Sequence, residues 1–102
     1  MHFITDESEL DLNKKNMALY FYAPWMPFHK KMLFMISKIE CKYQNIVFYA
    51  IDADFFKNLC TRFEVDQIPT VIIRSETKEL KRVVGITLTS AFKKIFYDIL
   101  NK

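Results

Sequence analysis

Glycine is almost missing from this 102-residue sequence: Gly85 is the only one, alongside three prolines and two cysteines. A single glycine cannot build a glycine-rich phosphate loop, so nucleotide sites of that kind are excluded. The one that remains is expected to mark a backbone position that other residues adopt poorly. The cysteines, Cys41 and Cys60, lie far apart and outside any closely spaced pair, so neither a zinc-ligand spacing nor a local redox pair exists. Cys60 falls on the apolar stripe of a helix and reads as a buried structural thiol. Cys41 sits late in another helix and reads as a surface thiol. No apolar run approaches membrane-spanning length, and Met1-His2-Phe3-Ile4-Thr5-Asp6-Glu7 turns acidic before any signal-peptide core could form. The expectation is a cytoplasmic protein with reduced thiols and no membrane partner. The formal charge of +3 comes from dispersed lysines, and no basic run interleaves with aromatics, so no nucleic-acid partner is expected.

What the chain does have is apolar bulk: 51% hydrophobic and 16% aromatic residues. That is enough for one packed domain, residues 1–102, with a core of large rings and no need of staples. His2 to Thr5 reads as a short edge strand, and Asp6-x-x-Glu9 as a capping box opening a brief helix over 7–13. Met17 to Ala23 is a continuous apolar run bounded by polar residues and proline, the pattern of a strand buried on both faces. From Pro27 to about Tyr43, Met32, Met35, Ile36 and Ile39 recur at helical spacing, and Ile46 to Ile51 is a second buried strand. Asp52-Ala53-Asp54 is expected to cap a helix through Phe63, with Phe56, Leu59, Cys60 and Phe63 on one face. Ile68-Pro69-Thr70 leads into Val71-Ile72-Ile73. Ser75 to Lys78 forms a hairpin loop, Leu80 to Val84 is the lysine- and arginine-bearing edge partner, and Gly85 ends it. Leu88, Ala91, Phe92, Ile95, Phe96, Ile99 and Leu100 then form a helical stripe capped by Thr87 or Thr89.

The order is β-α-β-α-β-α-β-β-α, an α/β arrangement whose central sheet is covered on both faces. Its pivot is Trp25-Met26-Pro27-Phe28-His29-Lys30, where the buried strand turns into the long helix. A residue before proline is held out of the α region, so Met26 is expected to be extended and Pro27 to take the first helical position. Strand-to-helix corners of this kind expose backbone N–H groups beside side chains and are common places for chemistry.

Phe21-Tyr22-Ala23-Pro24-Trp25, Ile51-Asp52-Ala53-Asp54, Ile68-Pro69-Thr70 and Gly85, at compatible spacing over essentially the whole chain, resemble the thioredoxin family. The resemblance implies a thioredoxin fold, a mixed five-stranded sheet flanked by four helices, with a cis Ile68-Pro69 bond and Pro69 beside the bend. It also places Met26 and His29 where the family carries its two redox cysteines, and Tyr20 where it carries a buried aspartate that assists proton transfer. Phe34 takes the place of a proline that kinks the long helix, so a straighter helix is expected. Trp25, Lys30, Ile68 and Pro69 are kept.

Disulfide exchange needs a thiolate and a second, resolving thiol, and neither a thioether nor an imidazole supplies them. The expectation is therefore a non-enzyme without cofactor, binding another protein or an extended peptide through Trp25, Met26, Pro27, Phe28, His29, Ile68 and Pro69. In the family an extended peptide pairs with backbone beside the cis-proline, a mode that does not depend on cysteine. Two alternatives stand beside this one. His29, with Met26 as a soft neighbour, could hold a metal or a residual catalytic site. Or the domain could be a rigid subunit whose contacts lie on Leu80 to Val84 or on the lysine faces.

Overall fold

The computed structural model describes residues 1–101, folded as one mixed sheet between two helical layers. The strands are β1 (His2–Phe3), β2 (Met17–Tyr22), β3 (Val47–Asp52), β4 (Thr70–Ser75) and β5 (Lys78–Val84). The helices are α1 (His29–Lys42), α2 (Lys57–Arg62) and α3 (Thr89–Leu100). Sheet order is β1-β3-β2-β4-β5, with β3 parallel to both β1 and β2 and β4 antiparallel to β2 and β5. This is the expected thioredoxin arrangement. The number of helices differs, because three α-helices and one 3-10 turn replace the four anticipated.

The apolar run of β2 explains its central place: Met17, Ala18, Leu19, Tyr20 and Phe21 are all fully buried. Alternate residues feed two separate cores. Ala18, Tyr20, Phe48, Ala50, Val71 and Ile73 pack with Met32, Met35, Ile36 and Ile39 of α1 and Phe92 and Phe96 of α3. Met17, Leu19, Phe21, Tyr49, Ile51 and Ile72 pack with Phe56, Leu59 and Phe63 around α2. The charged strand β5 forms one edge and short β1 the other, which leaves no long apolar edge for mispairing.

Local polar chemistry shortened two of the expected helices. The capping box at Asp6 and Glu9 forms, but only a 3-10 turn, Glu7–Glu9, follows it. Leu10 is already extended and Asp11 Oδ1 accepts from the Asn13 N–H at 3.0 Å, a side-chain turn that competes with helix. Asp52 likewise caps a turn and not a helix: its Oδ1 accepts from the N–H groups of Asp54 (3.0 Å) and Phe55 (3.3 Å), delaying α2 to Lys57. At α3 the capping position falls on Leu88 with no side-chain cap, between Thr87 and Thr89.

Gly85 and Glu64, two of the four described positions with a left-handed conformation, hold it for identifiable reasons. Gly85 has φ +84° with nothing within 4 Å of a would-be Cβ, so the angle alone favours glycine there. Its N–H donates to the Pro69 carbonyl at 2.8 Å, tying the end of β5 to the loop before β4. The end of α2 is a Schellman motif: Val65 N–H donates to the Cys60 carbonyl at 2.8 Å and Glu64 N–H to Thr61 at 3.2 Å, with Glu64 at φ 54°. Arg82 closes it from β5, donating to the carbonyls of Phe63 (2.7 Å) and Glu64 (2.8 Å) while Glu79 holds its guanidinium. Glutamate is poorly suited to that angle, so Glu64→Gly is expected to stabilise the fold by about 0.5–1 kcal/mol. A urea midpoint that falls would refute this account of the cap.

Candidate functional site

The parallel strands β1, β2 and β3 all finish at one edge of the molecule, and their order decides what surrounds the end of β2. Tyr22 is in register with Asp52 of β3, and Phe21 with Thr70 of β4. The bend that continues β2 is therefore flanked by the Asp52 loop on one side and by Pro69 on the other. The Ile68–Pro69 peptide bond is cis. Pro69 is buried, and Ile68 is half-buried against both cores.

The bend itself is two tight turns in succession. Met26 N–H donates to the Ala23 carbonyl at 3.0 Å, and His29 N–H to the Met26 carbonyl at 3.3 Å. In the second turn Pro27 stands second and Phe28 third, and Phe28 has φ 67° and ψ 10°, a type II geometry in which glycine usually holds that place. Pro27 therefore does not open the helix. Its fixed φ suits the turn, and α1 starts two residues later at His29, with the Met32 N–H donating to the Phe28 carbonyl at 2.9 Å.

The turn separates the side chains that were expected to act together. Trp25 and Phe28 are 69% and 59% exposed, and Pro27 is exposed beside them. Met26 points the other way: at 7% exposure it belongs to the core with Met32 and Met35, so it supports the bend from beneath and forms no part of a contact surface. The Trp25 indole is pinned outside, its Nε1 donating to Asp54 Oδ2 at 2.7 Å.

His29 is half-buried against two tyrosines of β2. Tyr22 stacks on its ring at 4.7 Å and 8° between planes, and Tyr20 stacks on Tyr22 at 5.4 Å. Tyr20 Oη lies 2.9 Å from His29 Nδ1. Burial lowers the pKa of His29, and burial raises that of Tyr20. Both effects favour a neutral pair in which the phenol donates to Nδ1 and the imidazole proton rests on Nε2. Tyr20 is thus a hydrogen-bond partner of His29, joining the middle of β2 to the first turn of α1.

Neither cysteine lies within the bend. Cys41 is exposed late in α1. Cys60 is half-buried on α2, its Sγ 3.7 Å from the Ala53 carbonyl, and burial pushes its pKa up. Among the described residues no three His, Cys, Asp or Glu side chains gather closely enough to hold a metal ion, so the metal reading of His29 finds no ligand set. Also among the described residues, no helix is long and apolar enough to cross a membrane.

Tyr22 and Asp54 were not among the site residues read from the sequence, and Tyr20 was read there only as standing where the family has an aspartate. Tyr20 and Tyr22 are two apart on a strand and must share a face, the one signal in the sequence that groups them. Nothing in the sequence pairs Asp54 with Trp25.

The family model described as Thioredoxin matches residues 3–97. The chain is 33% identical over 79 residues to thioredoxin-2 of Saccharomyces cerevisiae, covering 78% of this chain and 76% of that one. It is 30% identical over 84 residues to thioredoxin H5 of Arabidopsis thaliana, covering 80% and 71%. Among solved structures, oxidised thioredoxin from Plasmodium falciparum superposes with a TM-score of 0.87 at 19% identity over 96% of both chains. Thioredoxin from Trypanosoma brucei brucei gives 0.86 at 21% identity, over 98% of this chain and 90% of that one.

Proposed function

We propose that this chain, which belongs to the thioredoxin family, works by binding and not by redox chemistry. It takes an extended segment of another protein across the surface of Trp25, Pro27, Phe28 and His29, bounded by Ile68 and Pro69. The observation that carries this reading is the exposure of Trp25 and Phe28, 69% and 59%, on a bend held rigid from below by buried Met26. Exposed aromatics on a fixed backbone are the anchors that recognition surfaces use, because little conformational freedom remains to be lost on binding. Pairing of an extended segment beside a cis-proline draws on main-chain groups and shallow apolar pockets, and sulfur has no part in it.

The absence of disulfide chemistry follows from the same residues. Exchange requires attack by a thiolate and resolution by a second thiol, and the corresponding side chains here are a buried thioether and a neutral imidazole. An insulin-reduction assay on the unaltered chain is expected to give no turnover, and turnover through Cys41 or Cys60 would overturn the non-enzyme reading.

For the surface, a library of extended peptides is presented to the chain and binding is followed through the Trp25 indole resonance. Phe28→Asp, at an exposed position, is expected to weaken the selected peptides about tenfold, equivalent to about 1.4 kcal/mol, while the thermal midpoint does not fall. Affinity that survives the substitution, or peptide contacts that map to β5, would transfer the function to the rigid-subunit alternative.

A further inference from the structure

Beside the bend, on the side away from Pro69, the ends of β1, β2 and β3 enclose an open cavity of about 290 Å³ whose walls include Phe3, Tyr22, Phe55 and Phe56, with Asp52 among them. Its rings are arranged and not merely near one another. Phe3 meets Tyr22 edge-on at 6.0 Å, and Phe55 meets Phe56 edge-on at 4.8 Å. Phe55 is 73% exposed although an apolar ring has every reason to pack inward, and Phe3 is 46% exposed. The Asp52 carboxylate uses Oδ1 to hold the following turn and leaves Oδ2 without a partner among the described residues. None of the ion pairs among the described residues involves Asp52, although the chain carries fifteen lysines and arginines.

Aromatic faces are negative and attract cations, and a carboxylate among them adds a charge and a hydrogen-bond acceptor. An apolar pocket with such a carboxylate suits a group that is both positive and flat. Arginine fits this description better than lysine: its weakly hydrated, planar guanidinium stacks on rings and donates to a carboxylate along its edge. We propose that this cavity receives an arginine side chain of the bound segment. The proposal rests on the reading of the bend as a peptide surface and specifies the chemistry of its partner. Continuity supports the link, since the Tyr22 ring that lines the cavity stacks at 4.7 Å on His29 of the bend. Asp52 lowers the ease with which Tyr22 ionises, after burial itself, so its charge is felt inside the pocket.

Two probes separate the pocket from the bend. N-acetyl-arginine amide is titrated against the chain while the ring resonances of Phe3, Tyr22 and Phe55 are followed, with N-acetyl-citrulline amide as the uncharged isostere. Saturable shifts with arginine and none with citrulline are expected. Asp52→Asn, which keeps an oxygen for the Asp54 and Phe55 N–H groups, should weaken them about fivefold or more. Phe55→Ser, at an exposed position, should do the same without disturbing the core. Equal shifts from arginine and citrulline, no shifts, or shifts indifferent to both substitutions overturn the pocket. In the second arm, peptides selected on the bend are remade with citrulline in place of arginine. A loss of affinity in the unaltered chain that disappears in Asp52→Asn supports the proposal. Peptides that bind equally with citrulline defeat the pocket while leaving the bend intact. Ring shifts with N-acetyl-arginine amide in a chain that selects no peptide defeat the bend and leave the pocket.

Discussion

Met26→Cys together with His29→Cys is expected to close a disulfide within the bend and to give insulin reduction, where none is expected of the unaltered chain. The geometry already favours the bond. The Met26 carbonyl accepts from His29 N–H at 3.3 Å, closing a four-residue turn, and such turns hold their end Cα atoms within about 7 Å. A disulfide spans Cα separations of about 4.4–6.8 Å, so little backbone movement is needed. The first turn of α1 supplies free N–H groups that stabilise a thiolate, lowering the pKa of the attacking cysteine. Two costs limit the gain. Met26 is buried, and shortening it leaves a gap that is expected to cost about 2 kcal/mol. Tyr20, whose phenol burial keeps protonated, is also a poor proton acceptor for the second sulfur, so resolution of a mixed disulfide should be slow at neutral pH. The expected result is a double variant that loses two titratable thiols in oxidising glutathione buffer and reduces insulin slowly. If both introduced thiols still titrate as free there, the turn does not hold the geometry described.

That outcome bears on how much of the site was legible in the sequence. Helical spacing located the faces of α1 and α3, and the apolar run of β2 announced a central strand, because burial on two faces leaves no other arrangement for it. The bend was found by its residues but misread in its geometry. Proline before a helix reads as a first helical residue, and nothing local says that Phe28 will take the turn position in which glycine is usual. Its left-handed angle sends Phe28 outward, and the same turn sends Met26 inward, so neighbours of similar chemistry part company. Composition cannot show this, since it depends on which side of the chain the core lies. The Tyr20–His29 pair was hidden for a different reason: each residue was legible only as a loss, and their 2.9 Å contact exists because strand and helix meet in space. The helix starts were misplaced where an aspartate caps a turn with the same hydrogen bonds it would use to cap a helix.

Stability should respond most to the ring that joins the last helix to the sheet. Phe96 is fully buried, stacked on Phe48 of β3 at 5.7 Å and tilted against Phe92 at 5.1 Å. Phe96→Ala removes a whole ring from a fully buried position, and is expected to cost about 3–5 kcal/mol. Domains of this size are stable by only about 5–15 kcal/mol, so the loss is a large fraction of the total and should lower the thermal midpoint by about 12–40 °C. Phe96→Leu keeps most of the volume and should cost less than about 1.5 kcal/mol, which separates cavity formation from any specific need for an aromatic ring. Urea denaturation of the three chains measures both differences. A Phe96→Ala cost below about 1 kcal/mol would mean that α3 is not docked on β3 as described. Because α3 stands on the core and not at the bend, the Phe96→Leu chain should bind peptide with unchanged affinity, which makes it the control that distinguishes a damaged fold from a damaged surface.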